Sequence, residues 1–347
     1  MVSLDHLIVF SVAFAVSFLA IPLVKKLAIR IEAMDVPDSR KIHSKPLPRI
    51  GGLAIFLGFI IPFLIYFDLD RRLWGFLIAL LIVFLVGFVE DVRGLGVWQK
   101  LSWQAIAAVA VLAGGIGIVA VTNPVAGGFI FLDSWRIPVE VLGLGFNIIP
   151  LANLVSVIWI VGIINTVNFL DGMDGLASGI SIIAALVLFA ISLTPAVDNS
   201  NLALLTMMLS GSLLGFLLYN WHPSSIFMGD SGAFTIGLIL AVITIYSGSK
   251  IAVGVLVLGV AIFDAVWAVT RRLYNRQSPF APDRGHIHHQ LLDSGLSQTQ
   301  VVMHLYIVAG IIGATAVFYG GITAFTVLLI MIVLTVSIAR IRVGKIS

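Results

Sequence analysis

Apolar runs separated by short polar stretches recur along the whole of this 347-residue chain. Runs of about 17–25 apolar residues are long enough to cross a bilayer as helices. About eleven candidate spans follow, with ten as the lower count: 5–24, 50–67, 73–89, 103–121, 149–167, 175–194, 202–219, 232–248, 251–270, 302–319 and 322–339. The pattern predicts an all-α polytopic integral membrane protein, with residues 1–347 forming one membrane-embedded domain. The segment 122–148 breaks the pattern with Pro124, Gly127, Gly128, Asp133, Arg136 and Pro138, and reads as an extracytoplasmic loop with a short hairpin. The first run follows Asp5 and His6, without a basic start or a small-residue cleavage site, and reads as a retained span rather than a signal peptide.

Composition sharpens this reading. Charged residues make up 11% of the chain and hydrophobic residues 60%, against about 25% charged in an ordinary soluble domain. Cysteine is absent, which removes disulfides and thiolate chemistry. Of the twenty Lys and Arg residues, sixteen fall on one side of the predicted topology. By the positive-inside bias that side is cytoplasmic, which puts the N-terminus outside and the C-terminus inside. The same bias accounts for the net charge of +3 without invoking a nucleic acid. Five polar clusters share the basic side: 36–52, 89–100, 165–175, 220–232 and 282–295. An ionised residue is costly at mid-bilayer and less so at the interface, so the convergence of five loops on one face is what predicts a site at the cytoplasmic face, open to soluble substrate and to lipid.

In "NTVNFLDGMDGLASG", Asn165, Asn168, Asp171 and Asp174 recur every third residue. On a helix they form one stripe, whose oxygens suit a hard cation such as Mg²⁺. The alternative is a helix end capped by Asp and Asn before a turn. Glu90 and Asp91 close the third span as metal ligands, a base, or a solvated loop start. Lys100 meets a phosphate or serves the topology bias. Asp230 sits in "FMGDSG", a string shared with the nucleophile of trypsin-like proteases. A helical membrane chain excludes that chemistry, and a tight turn aiming Asp230 at a cation fits better. Phe227 packs, or stacks on a base. His286, His288 and His289 in "HIHH" suit zinc by spacing. With Arg284 two residues upstream and no cysteine, they suit phosphate better, with an ordinary basic loop as the alternative. Asp264 has no defined role in the sequence, His222 is ambiguous, and Asp5, His6 and His304 read as interfacial.

Five strings in order, "RKIHSKPLPRIGG", "GFVEDVRGL", "NFLDGMDGLASG", "FMGDSGAF" and "HIHHQLLDSGLSQ", resemble those of the polyprenyl-phosphate N-acetylhexosamine-1-phosphate transferases. This superfamily is glycosyltransferase family 4, and the likeness is to its WecA/TagO-like branch, related to MraY. It covers nearly the whole chain. The family usually carries Asp-Asp where this chain has Glu90-Asp91, which favours Asp91 for strict geometry. The resemblance implies transfer of N-acetylglucosamine 1-phosphate from UDP-N-acetylglucosamine to undecaprenyl phosphate at the cytoplasmic face of the bacterial inner membrane. The products are undecaprenyl-diphosphate N-acetylglucosamine and UMP, the first membrane step of a cell-surface glycan such as lipopolysaccharide or teichoic acid.

It further implies Mg²⁺, with Mn²⁺ as a substitute, held by Asn168 and Asp230. Asp174 and Phe227 are implied at the uracil, and Lys100, Arg284, His286, His288 and His289 at the diphosphate. Lys45 and Asn165 complete the substrate-binding set. Asp91, with Glu90, is implied as base or orienter of the lipid phosphate, and Asp171 joins that cluster. The expected partners are the nucleotide sugar, the lipid phosphate and membrane lipids, with a homodimer left open. Direct attack by the lipid phosphate is expected, since nothing marks a shielded nucleophile. Two other readings compete. One is an MraY-like transfer of phospho-N-acetylmuramoyl-pentapeptide. The other is a secondary transporter, whose site would sit nearer the midplane between repeated halves.

Overall fold

The computed structural model describes residues 2–36, 45–122, 128–141, 144–246, 254, 256, 258–276, 278, 286–319 and 321–346. Among them are twelve α-helices: α1 (Leu4–Arg30), α2 (Gly52–Tyr66), α3 (Arg71–Arg93), α4 (Val97–Gly114), α5 (Pro150–Leu170), α6 (Leu176–Ser192), α7 (Ser200–Asn220), α8 (Gly229–Tyr246), α9 (Gly259–Tyr274), α10 (Ile287–Asp293), α11 (Gln298–Tyr319) and α12 (Gly321–Ile346). A helix lies at each predicted span. Six of them, α1, α3, α5, α7, α8 and α11, are long and apolar enough to cross a membrane. The chain is a multi-pass helical membrane protein. α4 falls short because its first turns carry Gln99, Lys100 and Gln104, and α9 ends on Arg271 and Arg272.

Local chemistry sets the boundaries. Asp70 caps α3 by accepting the Leu73 N–H at 2.8 Å. Asn199 caps α7 through the Leu202 N–H at 3.0 Å. Pro150 opens α5, where a missing N–H costs nothing. Gly115, in the left-handed region at φ 96°, stops α4 short of the predicted limit of 121. The chain then forms two antiparallel strand pairs: β3 (Ala120–Thr122) with β4 (Phe129–Phe131), and β5 (Ile137–Val141) with β6 (Leu144–Ile148). Within the loop predicted over 122–148 the described residues thus form antiparallel strands. β1 (Met34–Asp35) pairs with β2 (Leu47–Pro48) before α2.

α8 is the buried centre, with every residue from Ser231 to Ile245 buried. Small residues let the neighbouring helices approach closely, as membrane helices without a hydrophobic drive between them require. A Cβ on Gly52 would lie 2.0 Å from the Gly232 nitrogen, and one on Gly211 would lie 2.2 Å from the Phe10 carbonyl. One contiguous apolar core runs from Val9 in α1 to Ala309 in α11. The alternation of helix direction brings the ends of α3, α5 and α7 and the starts of α4, α6, α8 and α11 to the same end of the bundle. The β3–β6 strand pairs close the other.

The predicted polar stripe is not a single helix face. α5 ends at Leu170, Asp171 is its C-cap, and Asp174 lies in the turn leading to α6. A three-residue step also falls short of a 3.6-residue turn. Asn165 accordingly turns away and donates to Gln104 Oε1 at 2.7 Å and to the Val161 carbonyl.

Candidate active site

The site is built around the first turn of α8. Gly229 adopts φ 67°, and a Cβ there would lie 2.1 Å from the Arg49 carbonyl and 2.5 Å from both Asp91 oxygens. That left-handed glycine turns the following N–H groups toward Asp91. Asp91 Oδ1 accepts the Asp230 N–H at 2.8 Å; its Oδ2 accepts the Ser231 N–H at 3.0 Å and the Ser231 hydroxyl at 2.6 Å. Arg49 stands 3.5 Å from Oδ1. Asp91 therefore caps α8 from α3, satisfying donors that the helix start cannot satisfy itself. Gly229→Ala is expected to cost about 2–4 kcal/mol, combining the left-handed penalty with overpacking. Thermal unfolding in detergent checks this; an unchanged midpoint would contradict the close packing.

With its backbone held, the Asp230 carboxylate meets side chains from α4 and α5. Its Oδ1 accepts from Asn168 Nδ2 at 2.9 Å, and its Oδ2 lies 3.1 Å from Lys100 Nζ. Lys100 also reaches Glu90 Oε1 at 3.2 Å, while the other Glu90 oxygen accepts the Leu95 N–H. Glu90 and Asp91, consecutive on α3, thus point to different places. Glu90 joins the Lys100–Asp230 cluster, whereas the Asp91 side chain is inaccessible with both oxygens engaged. Asp91, the acid favoured for strict geometry, is held by three donors of α8, while Glu90 pairs with Lys100.

A cavity of about 720 Å³ opens beside this cluster, within the range of small-molecule sites. Asn168, Asp171, Asp230 and Asp35 line one part of it; Lys45, Arg49 and His289 add basic groups. Burial, then the carboxylates of Asp230, Asp91 and Asp174, push the Asp171 carboxyl well above its usual range, with Arg49 opposing. Phe227 and Asp174 also line it. Asp174 Oδ2 accepts the Ser224 N–H at 3.1 Å and lies 2.7 Å from His222 Nδ1. Phe227 is fixed through its backbone, donating to the Pro48 carbonyl at 2.8 Å and accepting from the Gly51 N–H at 2.9 Å. Lys100 and Glu90 do not line the cavity but reach it through Asp230.

The histidine motif divides. His289 lines the cavity, whereas His286 and His288 are buried behind it. His286 Nδ1 lies 3.0 Å from Asp264 Oδ2, and Asp264 Oδ1 accepts the Ile287 N–H at 2.8 Å. His286 and His288, expected at the diphosphate, are thus outside the cavity lining, and of the three only His289 faces it. Arg284 lies outside the described residues. Burial, with His289 and His286 beside it, lowers the His288 pKa to about 3 despite Asp264. The unfolded chain takes up this proton near pH 6.5 and the folded one does not. Stability is then expected to fall as pH drops below about 6.5, by at most ~1.4 kcal/mol per pH unit from this group. Unfolding midpoints at pH 7 and pH 5 test it: the difference should shrink in His288→Gln, and an equal difference would refute it.

Arg49, Asp35, His222, Asp264 and Gln298 were not assigned to the site from sequence, yet all but Asp264 line the cavity. Arg49 lies inside the quoted "PRIGG" string, but its partner Asp91 is 42 residues away and no local spacing reveals the pair.

The donor set fits a small hard cation. Asn168 and Asp230 both line the cavity, and an amide and a carboxylate, here bonded to each other and to Lys100, are ligand types that Mg²⁺ takes alongside water and phosphate. Among the described residues no three His, Cys, Asp or Glu side chains converge as a metal-ligand group, an arrangement unlike a structural zinc site.

The family model described as glycosyl transferase family 4 matches residues 73–248. A probable undecaprenyl-phosphate N-acetylglucosaminyl 1-phosphate transferase of Bacillus subtilis is 33% identical, covering 96% of this chain and 91% of the relative. A decaprenyl-phosphate N-acetylglucosaminephosphotransferase of Mycobacterium leprae is 31% identical over 92% of this chain and 86% of its own. A phospho-N-acetylmuramoyl-pentapeptide-transferase of Alkaliphilus oremlandii is 31% identical over 85% and 90%.

Proposed function

This chain belongs to glycosyl transferase family 4, and from that premise we propose that it transfers N-acetylglucosamine 1-phosphate from UDP-N-acetylglucosamine to a polyprenyl phosphate. The enzyme is a membrane phosphosugar transferase. Undecaprenyl phosphate is the acceptor that its Bacillus relative's name points to. An oxygen of the lipid phosphate attacks the sugar-bearing phosphorus, the bond from that phosphorus to the bridging oxygen breaks, and UMP leaves. The basic residue distribution supports a bacterial cytoplasmic membrane, with the cavity at the cytoplasmic face and the chain acting as one domain.

One observation carries the reading: Asn168, Lys100 and Asp230, from three helices, meet within 2.9–3.1 Å beside a cavity that also holds Asp174 and Phe227. Phosphoryl transfer is mainly positioning and neutralisation of charge. Mg²⁺ bound by Asn168 and Asp230 would neutralise the diphosphate oxygens. Lys100 holds the Asp230 carboxylate in place and adds positive charge behind it. Arg49, Lys45 and His289 line the path of the anionic groups. Phe227 offers a flat face for a base, and Asp174 a carboxylate that accepts an N–H. His222 and the Ser224 N–H engage the Asp174 Oδ2, leaving Oδ1 for such a contact. Glu90 is the acid proposed to act with Lys100 beside Asp230, a reading that the Lys100–Glu90 pair at 3.2 Å supports.

The Alkaliphilus relative makes an MraY-like donor the second reading. Parallel incubations with UDP-N-acetylglucosamine and UDP-N-acetylmuramoyl-pentapeptide, each with undecaprenyl phosphate and Mg²⁺, decide by UMP release. The first donor alone is expected to turn over. Release from neither would refute the transferase reading, and release from the second alone would replace the donor. Label exchange between UMP and UDP-N-acetylglucosamine without lipid is expected to be absent, since the attack is direct.

A further inference from the structure

Asp264 is a buried carboxylate on α9 for which the transfer reaction has no direct use. Its two oxygens are spent on the start of α10: Oδ1 accepts the Ile287 N–H at 2.8 Å and Oδ2 meets His286 Nδ1 at 3.0 Å. A carboxylate accepts only, so Nδ1 carries the hydrogen. That fixes the imidazole's tautomer and orientation. The other nitrogen, Nε2, then faces the Arg272 guanidinium at 3.5 Å, donor toward acceptor. The His286 ring also lies beside Phe169 of α5, with centroids 5.9 Å apart. His288, 3.9 Å from the same Asp264 oxygen, packs on the turn after α5, where a Cβ on Gly172 would come within 2.8 Å of its Nε2. Two residues past this anchored start, in the first turn of α10, His289 reaches the cavity.

The geometry points to Asp264 as the positioning residue for His289: through His286 and the Ile287 N–H it sets where α10 begins, and so where the cavity's histidine stands. The inference rests on the nucleotide-sugar reading of the cavity. Asp264 itself touches no substrate. Replacing it by asparagine keeps the acceptor for the Ile287 N–H but offers an amide N–H to His286 Nδ1. Imidazole must then change tautomer to accept it, and its Nε2–H is turned against Arg272, donor against donor.

The test is a double-variant cycle read by equilibrium binding of UDP-N-acetylglucosamine without lipid acceptor, on purified full-length protein in detergent. Asp264→Asn and His289→Ala are each expected to weaken binding by about tenfold, as loss of a contact to a charged ligand group does. The double variant should bind no more than about twofold more weakly than His289→Ala alone, because both changes remove one interaction. In turnover, Asp264→Asn should raise KM more than it lowers kcat. If Asp264→Asn fails to fold, His286→Gln takes its place in the same cycle. Multiplicative losses in the double variant overturn the inference. So does a variant that melts earlier yet binds as wild type does. Failure of the wild-type protein to bind the nucleotide sugar overturns the functional reading instead, which separates the two.

Discussion

Replacing Asp230 by alanine is expected to lower kcat by at least about 10²–10³-fold, the scale seen when one preorganised electrostatic group is removed from a transition state. The substitution removes the acceptor for Asn168 Nδ2 and one of the two carboxylates on Lys100. It also removes the charged member of the oxygen pair proposed to hold Mg²⁺. The fold should survive, because Asp91 caps α8 through the backbone N–H of residue 230 and not through its side chain. Turnover measured by lipid-dependent UMP release should therefore collapse while the unfolding midpoint stays within about 1 kcal/mol of wild type, as for a partly exposed polar side chain. The Mg²⁺ concentration for half-maximal rate should rise in the milder Asp230→Asn. Normal turnover in Asp230→Ala would sink the site assignment.

Asp91→Ala should behave in the opposite way, losing stability first. It leaves the Asp230 N–H and the Ser231 N–H without their acceptor at the start of the most buried helix, and the Ser231 hydroxyl with only the Met228 carbonyl at 3.4 Å. Each unsatisfied buried donor costs about 1–3 kcal/mol. With partial rescue by water or a shifted helix end, a net loss of about 3 kcal/mol or more is expected. Arg49 also loses its counter-charge at the cavity wall. Activity should fall because Asp230 is displaced, and the unfolding midpoint should fall with it. A residue serving only to take a proton from substrate would leave the midpoint unchanged; a catalytically dead Asp91→Ala that melts like wild type would restore Asp91 as the reacting acid. Glu90→Gln offers the contrast. Its oxygens hold Lys100 and the Leu95 N–H at a partly exposed position, so stability should change little.

The sequence was most legible where one physical cause dominated. Bilayer thickness fixes the length of an apolar run, so helix positions followed from hydropathy alone, from Leu4–Arg30 through to Gly321–Ile346. Helix ends were less legible. The Gly115 C-cap ended α4 early, and the strand pairing of 120–148 depends on contacts between segments that local pattern does not register. The stripe from Asn165 to Asp174 shows a further limit. Spacing by three suggested a shared face, but the helix stops at Leu170 and each residue then finds a different neighbour: Gln104, Asp230, the acidic cluster, and His222.

The sequence by itself determined a helical membrane protein and the set of polar strings that carry its chemistry, because residue type and run length need no partner to be read. Tertiary structure decided which member of each string does what. It put Asp91 behind the wall and Glu90 on Lys100, sent His289 to the cavity while Asp264 holds His286, and brought Arg49 into a site where sequence had counted only its charge. The reason is that neighbours on a helix differ by about 100° in direction. Which direction holds water, substrate or another helix is settled only when the segments pack.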